Sequence, residues 1–330
     1  MTTPDILLIG ASGTAGRLTA VELAARGARL VLAGRDPGRL AATAAALPPG
    51  SPAPVLLPLD LDDPAALAAA VGSARLVLNT VGPFARLAGA VIDACLAAGT
   101  PYVDLANELT AVRSLLARDS AARARGVTLV TGAGFGPAVT EALVLRLRER
   151  AGAPLARVEV ASAAVTAYAT EGVRTTVAEA LADGTAYYAS GRLEHAPLGT
   201  GLTTLRFGGA ERRMLPVPVG DLETAHRASG GAGSVTAYAP APGSPATAGV
   251  DSFAYARAVD RAGRPLTAEL RCGEGFAVSA AIAAGTALRV LADGAPGAWT
   301  PGALYGPALV EAAGCTVTLD AGARRPQEHR

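Results

Sequence analysis

The sequence predicts an α/β protein that begins as a doubly wound parallel sheet and continues into a mixed α+β domain. Three observations carry this reading. Short apolar runs alternate with alanine-rich helical stretches through residue 135, and a glycine-rich turn follows the first of them. Beyond residue 135, strand-like pieces are separated by Gly and Pro. A chain of 330 residues has length for about two domains, each able to bury a core of its own.

The strand-like runs are Asp5–Gly10, Arg29–Ala33, Val55–Pro58, Leu76–Thr80, Tyr102–Leu105 and Val127–Thr131. Each is almost continuously apolar, as a strand covered on both faces requires. Between them lie helical patterns at about Thr14–Arg26, Pro37–Leu47, Pro64–Val71, Arg86–Ala98 and Leu109–Arg125. Strict alternation of this kind gives a parallel sheet with right-handed crossovers. A helix at about Pro137–Arg150 leads into the second region, with strand-like pieces at Arg157–Val165, Thr203–Phe207, Arg213–Val217 and Ser234–Tyr238. Ser252–Val259 and Pro265–Cys272, joined by a short turn containing Gly263, read as an antiparallel hairpin. Asp221, after Gly220, reads as the cap of a helix through Arg227. Ala228–Gly233 and Ala239–Gly249 read as mobile loops. The chain closes with helices at about Ala277–Ala292 and Leu304–Ala313, a run Thr316–Leu319, and a polar tail Asp320–Arg330 expected to be disordered.

Charge and composition exclude several classes of function. The 29 basic residues are all arginine and face 28 acidic ones, for a net charge of +1. Without lysine there is no Schiff base, no Walker lysine and no Tyr-x-x-x-Lys pair. Near-neutral charge argues against nucleic acid or an anionic membrane as partner. Cys95, Cys272 and Cys315 form no CxxC, and with His195, His226 and His329 as the only histidines no dedicated metal site is expected. The cysteines read as buried free thiols in a reducing cytoplasm. No basic leader and no long uninterrupted apolar stretch is present, so neither secretion nor a membrane span is expected.

The opening turn, Gly10-Ala-Ser12-Gly13-Thr14-Ala15-Gly16, joins the first strand to the first helix. Gly10 permits the tight turn, Gly13 lets backbone N–H groups approach a pyrophosphate, and Gly16 allows close helix–strand packing. The second strand ends in Gly34-Arg35, where a reader of the unphosphorylated ribose would place an acid. A guanidinium suits a phosphate, so Arg35 favours NADP(H), with Arg17 or Arg39 as helpers. Asp60, after the third strand, falls beside an adenine or caps the next helix. Asn79-Thr80-Val81-Gly82-Pro83 closes the fourth strand at its carboxyl end, where open α/β sheets bind ligands and a nicotinamide is expected.

These residues resemble the saccharopine dehydrogenase-like reductases, a family that includes trans-acting enoyl reductases. The resemblance lies in Ile6–Arg35, in the NTVGPFARLAGAVIDACLAAGTPYVDLANE block of Asn79–Glu108, and in Gly275–Leu319 with its PGALYGPALVEAAG ending. Two stretches depart from the family pattern: Ala106-Asn107-Glu108 stands where Thr-Gly-Glu is common, and Gly134-Phe135-Gly136-Pro137 replaces Gly-Phe-Asp-Ser-x-Pro. The resemblance implies a Rossmann-type domain (1–135), a mixed α+β substrate or dimerisation domain (136–274), and carboxyl-terminal helices (275–319) that return to the first domain, followed by the tail (320–330). It also implies hydride transfer from NADPH to a small-molecule C=N or activated C=C bond. Family prevalence leans toward C=N, and a non-catalytic NADP-binding sensor or scaffold is the alternative from another class. Candidate catalytic residues are Tyr102 and Glu108 past the fifth strand, with Tyr188 and His195 in the second domain. Asp104 and Asn107 lie on the same stretch as the first pair. Tyr187 and Thr175-Thr176 are further candidates for the substrate wall. A homodimer through the second-domain sheet is compatible with this organisation.

Overall fold

The computed structural model describes residues 5–165, 184–241 and 251–320. The first domain alternates β1 (Ile6–Ile9), α1 (Thr14–Ala25), β2 (Leu30–Gly34), α2 (Pro37–Ala45), β3 (Val55–Pro58), α3 (Pro64–Gly72), β4 (Leu76–Asn79), α4 (Phe84–Ala98) and β5 (Tyr102–Asp104). It continues with α5 (Leu109–Leu116), α6 (Asp119–Arg125) and β6 (Thr128–Val130). Its sheet has seven strands, and β15 (Gly297–Trp299) joins it from far along the chain, giving the order β15-β6-β5-β4-β1-β2-β3. Every pairing is parallel. The chain runs outward from β1 through β2 and β3, then resumes at β4 on the other side of β1. That reversal opens a crevice at the carboxyl ends of β1 and β4.

The second domain has a nine-stranded sheet in the order β10-β11-β12-β7-β13-β14-β16, with β8 beside β12 and β9 beside β8. Its strands are β7 (Leu155–Ala163), β8 (Thr185–Ala189), β9 (Arg192–Ala196), β10 (Thr203–Phe207), β11 (Ala210–Pro216), β12 (Ser234–Pro240), β13 (Ser252–Asp260), β14 (Pro265–Cys272) and β16 (Thr316–Leu319). Only β12 and β7 run parallel. Helices α7 (Pro137–Ala151) and α8 (Gly220–Ala228) cover one face, burying Leu143, Leu147, Val158, Val160 and Leu222 in one cluster. The hairpin β13–β14 forms in the expected place.

Helix α9 (Gly275–Asp293) lies against α1 of the first domain, where Ala283, Ala284, Ala287 and Val290 join the core under β1 and β2. Its 19 residues have a mean hydropathy of 1.6, long and apolar enough to cross a membrane, and half of that stretch is buried within the fold. Ser279, Gly285, Thr286 and Arg289 interrupt the run, so it is not an unbroken apolar stretch even though its average is high. Two short helices, α10 (Pro301–Tyr305) and α11 (Ala308–Ala312), follow.

Several expectations need correction. The helix expected over Leu109–Arg125 is two, because Asp119 starts a new one and accepts hydrogen bonds from Ala298 N (2.9 Å) and Arg123 Nε (2.8 Å). The helix expected over Leu304–Ala313 is likewise broken, at Gly306-Pro307, since proline cannot donate within a helix. Thr316–Leu319 joins β14 of the second sheet, so the carboxyl-terminal segment divides between the two sheets rather than returning whole to the first. Strand β3 is an edge strand that exposes Val55 and Leu56, not one covered on both faces. Asp221 does not cap α8: Val219 occupies that position, and Asp221 is buried in the first turn. Ala228–Gly233 is a built turn in which Ser229 Oγ donates to His226 O (2.6 Å) and accepts from Ala232 N (2.8 Å). Residues 242–250 and the tail from 321 lie outside the described residues.

Candidate functional site

At the crevice between β1 and β4 lies a cleft of ≈ 510 Å³. Its floor is the glycine loop. Gly10 adopts φ +83, and a Cβ there would lie 2.6 Å from Thr80 Oγ1 and Val81 Cγ2; a Cβ on Gly16 would lie 2.1 Å from Gly10 O. Both positions exclude any side chain, so the loop lies flat on β4 and α1 starts directly beneath it. No side chain caps that helix start, which leaves its positive dipole end turned toward the cleft. Gly13, Ser12 and Gly10 line the cleft; Thr14, Ala15 and Gly16 form the helical turn behind it.

The far wall determines which dinucleotide fits. Gly34 leaves room at the tip of β2, since a Cβ there would come within 3.2 Å of Ser12 Oγ. Arg35 and Arg39 line this end. Arg39 reaches back to donate to Ser12 O (2.9 Å), bracing the glycine loop. The nearest acid past the tip, Asp36, is committed to capping α2, accepting from Arg39 N at 3.0 Å. An acid free to bind a ribose diol is therefore absent from the tip, while a guanidinium is present. Asp60 also lines the cleft, and its Oδ1 accepts from Asp62 N (3.1 Å). The helix cap considered for it belongs to Asp63. A pyrophosphate on the loop and a ribose phosphate at Arg35 fit these residues.

The opposite wall is Thr80-Val81-Gly82-Pro83, with a cis bond between Gly82 and Pro83. Buried hydrogen bonds hold it from below. Asn79 Oδ1 accepts from Val81 N (3.0 Å), Asn79 Nδ2 donates to Tyr102 Oη (3.1 Å), and Tyr102 Oη donates to Asp104 Oδ2 (3.0 Å). Asp104 Oδ1 accepts from Thr131 Oγ1 (2.8 Å), Ala106 N (3.0 Å) and Gly132 N (3.1 Å). Burial pushes the Asp104 carboxyl up to about 6 against the pull of these donors. The network ties together the loops leaving β4, β5 and β6.

The expected site residues separate into two groups. Gly10, Ser12, Gly13, Arg35, Asp60, Thr80, Val81, Gly82 and Pro83 come together around the cleft, with Asn79 just beneath. The four catalytic candidates do not converge. Tyr102 is completely buried, and burial raises its phenol well above the usual range. Glu108 accepts from Phe84 N (2.8 Å) and Asn107 N (3.2 Å), so its carboxylate caps the start of α4. Tyr188 stacks on His226 with centroids 3.9 Å apart and donates to Glu223 Oε2 (2.6 Å), away from the cleft. His195 is exposed on the β8–β9 hairpin, opposite Ala186. Thr175-Thr176 lie outside the described residues.

Sequence reasoning missed two features. Arg86, in the first turn of α4, adds a third guanidinium to the cleft; its place just after the Gly82-Pro83 loop was the available signal. At the domain junction Asn107, Gly136 and Asp221 come together; each was noted by itself, but their separation in sequence gave no sign that they meet.

Residues 6–130 match the family of saccharopine dehydrogenase NADP-binding domains. A trans-acting enoyl reductase of Mycobacterium leprae is 38% identical over 149 residues, which cover 44% of this chain and 36% of that protein. A putative trans-acting enoyl reductase of Mycobacterium tuberculosis is 39% identical over 134 residues, 40% of this chain and 32% of the relative. The chain therefore spans about a third of the length of these relatives. In overall shape it resembles the L-glutamate-forming saccharopine dehydrogenase of Saccharomyces cerevisiae, with a TM-score of 0.67 and 14% identity over 96% of this chain and all of the other. That likeness is one of fold.

Proposed function

Taking the amino-terminal domain as a saccharopine dehydrogenase NADP-binding domain, we propose that the protein is an NADPH-dependent reductase of an activated double bond in a small molecule. The observation that carries this reading is the cleft itself: a glycine loop at a helix start, facing a β2 tip that holds Arg35 and no free acid. Arg35 would take the ribose phosphate, the N–H groups after Gly13 the pyrophosphate, and the Thr80–Pro83 wall would support the nicotinamide. When bound, NADPH supplies a hydride. Glu108 and the Asn79–Tyr102–Asp104 network hold the nicotinamide wall in place, as positioning residues rather than as participants in the chemistry.

Prevalence within the resembled family leans toward a C=N acceptor. The curated relatives carry the name of the C=C alternative, and we take an activated C=C as the first reading. The test is NADPH oxidation against a panel of enoyl thioesters and cyclic imines. Turnover of enoyl thioesters is expected. Turnover of imines alone reverses the choice of bond, and tight NADPH binding without turnover of either class points to a sensor or scaffold.

A further inference from the structure

The cysteines Cys95, Cys272 and Cys315 are all buried and free. Two of them meet where the carboxyl-terminal segment joins the second sheet. There β16 runs antiparallel to β14, with Arg271 opposite Thr316, Leu270 opposite Val317, Glu269 opposite Thr318 and Ala268 opposite Leu319. One further step along this register sets Cys272 opposite Cys315. Alternation along both strands puts the pair on the face that carries Leu270 and Val317. Cys272, Cys315 and Leu270 share one buried cluster with residues of α7, and Val317 packs against it. Opposed residues of an antiparallel pair have Cα atoms about 4.5 or 5.5 Å apart, and a disulfide spans about 4.4–6.8 Å. The two sulfurs are hydrogen-bonded to each other. We propose that Cys272 and Cys315 are a redox pair that closes to an intramolecular disulfide on exchange with a low-molecular-weight disulfide.

Cys95 supplies the contrast. It lies in the core of the first domain on α4, and burial alone holds its thiol well above the usual range. At the pair, the hydrogen bond from Cys272 draws the Cys315 thiol below its usual range against the effect of burial. Cys315 therefore ionises first and is the attacking sulfur. Cys272 is held on the other side by its own strand neighbour, with Sγ 3.8 Å from Ser252 O. Among the described residues the pair belongs to no His, Cys, Asp and Glu cluster large enough to hold a metal ion.

With exposures of 4% and 6%, the sulfurs meet an oxidant when the strand covering them opens. Strand β16 is the last in the order of its sheet, only four residues long, and exposes Leu319. The turn before it is Ala313-Gly314, with Gly314 exposed at φ +87. Local opening of such an edge uncovers Cys315 while β14 stays paired with β13 along its whole length.

The Cys315 thiolate attacks one sulfur of the small disulfide. A bond forms to Cys315 Sγ, the reagent's S–S bond breaks, and one small thiolate leaves. Cys272 then gives up its proton to solvent, and its sulfur displaces the second small thiolate from Cys315. In all, two cysteines lose two electrons and two protons, and one small disulfide becomes two thiols. The new bond joins the two ends of the segment 273–314, which carries α9, β15, α10 and α11. Closing that loop removes freedom from the unfolded chain and fastens β16 to its neighbour.

The test is incubation of the full chain with oxidised glutathione near pH 8 and just below the melting transition, followed by denaturation in an alkylating reagent and peptide mapping by mass. Free thiols are expected to fall from three to one. Cys272 and Cys315 should appear as one cross-linked peptide pair lighter by two hydrogens, with Cys95 alkylated, and dithiothreitol should restore all the thiols. The melting temperature should rise by about 5–10 °C on oxidation, and Cys315→Ala, compared with and without oxidant, should show no such rise. Retention of every free thiol, a cross-link through Cys95, or glutathione left on Cys272 or Cys315 without a bridge overturns the assignment. So does a cross-link that lowers the melting temperature, because the closed pair would then not fit the native register. NADPH plays no part in these measurements, so their outcome is separate from that of the cofactor reading.

Discussion

The cofactor cleft and the domain junction meet at Pro83 and Phe84, yet they are assembled in opposite ways. The cleft is built by successive βα units, each delivering its contact within a few residues of a strand end: Gly10 after β1, Arg35 after β2, Asp60 after β3, Thr80 after β4. The junction brings together Asn107, Gly136, Thr140 and Asp221, drawn from three separated stretches of the chain and from both domains. The cleft depends on backbone shape and tolerates few side chains. The junction depends on which polar atoms are left without partners once the domains close. The first is open and lined by arginines, whereas the second is a buried polar seam between the domains.

Substitutions can break this division at its strongest point first. Gly16→Val would drive a side chain into Gly10 O, since even a Cβ at that position would lie 2.1 Å from the oxygen. NADPH affinity should fall by about 100-fold or more through the overpacking strain at the helix start. Fluorescence titration with circular dichroism as a fold check reads this directly, and affinity within threefold of the parent means the close packing does not shape the loop. Arg35→Ala should weaken NADPH by about 10- to 100-fold, the range of a charge-assisted hydrogen bond, with NADH changed less than twofold. Equal losses for the two dinucleotides would separate Arg35 from the ribose phosphate.

At the seam between the regions, Glu108→Ala leaves Phe84 N and Asn107 N without their acceptor. Urea denaturation should show a loss of about 1–3 kcal/mol, and Glu108→Gln should recover part of it by keeping one acceptor oxygen. A fully neutral Glu108→Ala would mean that the wall is held without it.

A further effect is one of pH. Asp104 and Asp221 are raised to about 6 and Glu141 to about 7 by burial, from 3.8, 3.8 and 4.5. Between those limits the folded chain binds more protons than the unfolded one, so stability falls as pH rises from about 4 to 7. Asp5 and Asp119, lowered chiefly by hydrogen bonds from Arg29 and Arg123, act in the opposite sense at more acid pH. A melting temperature that declines gradually over pH 4.5–7.5, and less steeply in Asp221→Asn, is expected; a rise over that window would contradict the buried-carboxyl account.

What is legible in the sequence follows the same division. The apolar runs Ile6–Ile9 and Leu76–Asn79 and the Gly10–Gly16 turn are local signals, and each forms where expected. Strand β15 is hidden in a Gly- and Pro-rich stretch, because three residues carry no period of their own and pairing with β6 supplies the order. Tyr102 reads as a catalytic phenol when it is placed past the fifth strand; it is instead the first residue of β5, and its side chain turns inward onto Asp104. Asp221 reads as a helix cap because Asp beside Gly commonly caps, whereas Val219 takes that position and Asp221 is enclosed by Thr140 and Gly136. Local pattern can place an element; it cannot say which polar atom another domain will leave bare.

The central claim is that the cleft holds a phosphorylated nicotinamide dinucleotide with Arg35 on its extra phosphate. Parallel titration of the unmodified protein with NADPH and NADH tests it most directly. The account predicts NADPH binding tighter by about two orders of magnitude, with the preference shrinking as salt rises and phosphate contacts are screened. Equal affinity for the two, or binding of neither, would contradict it.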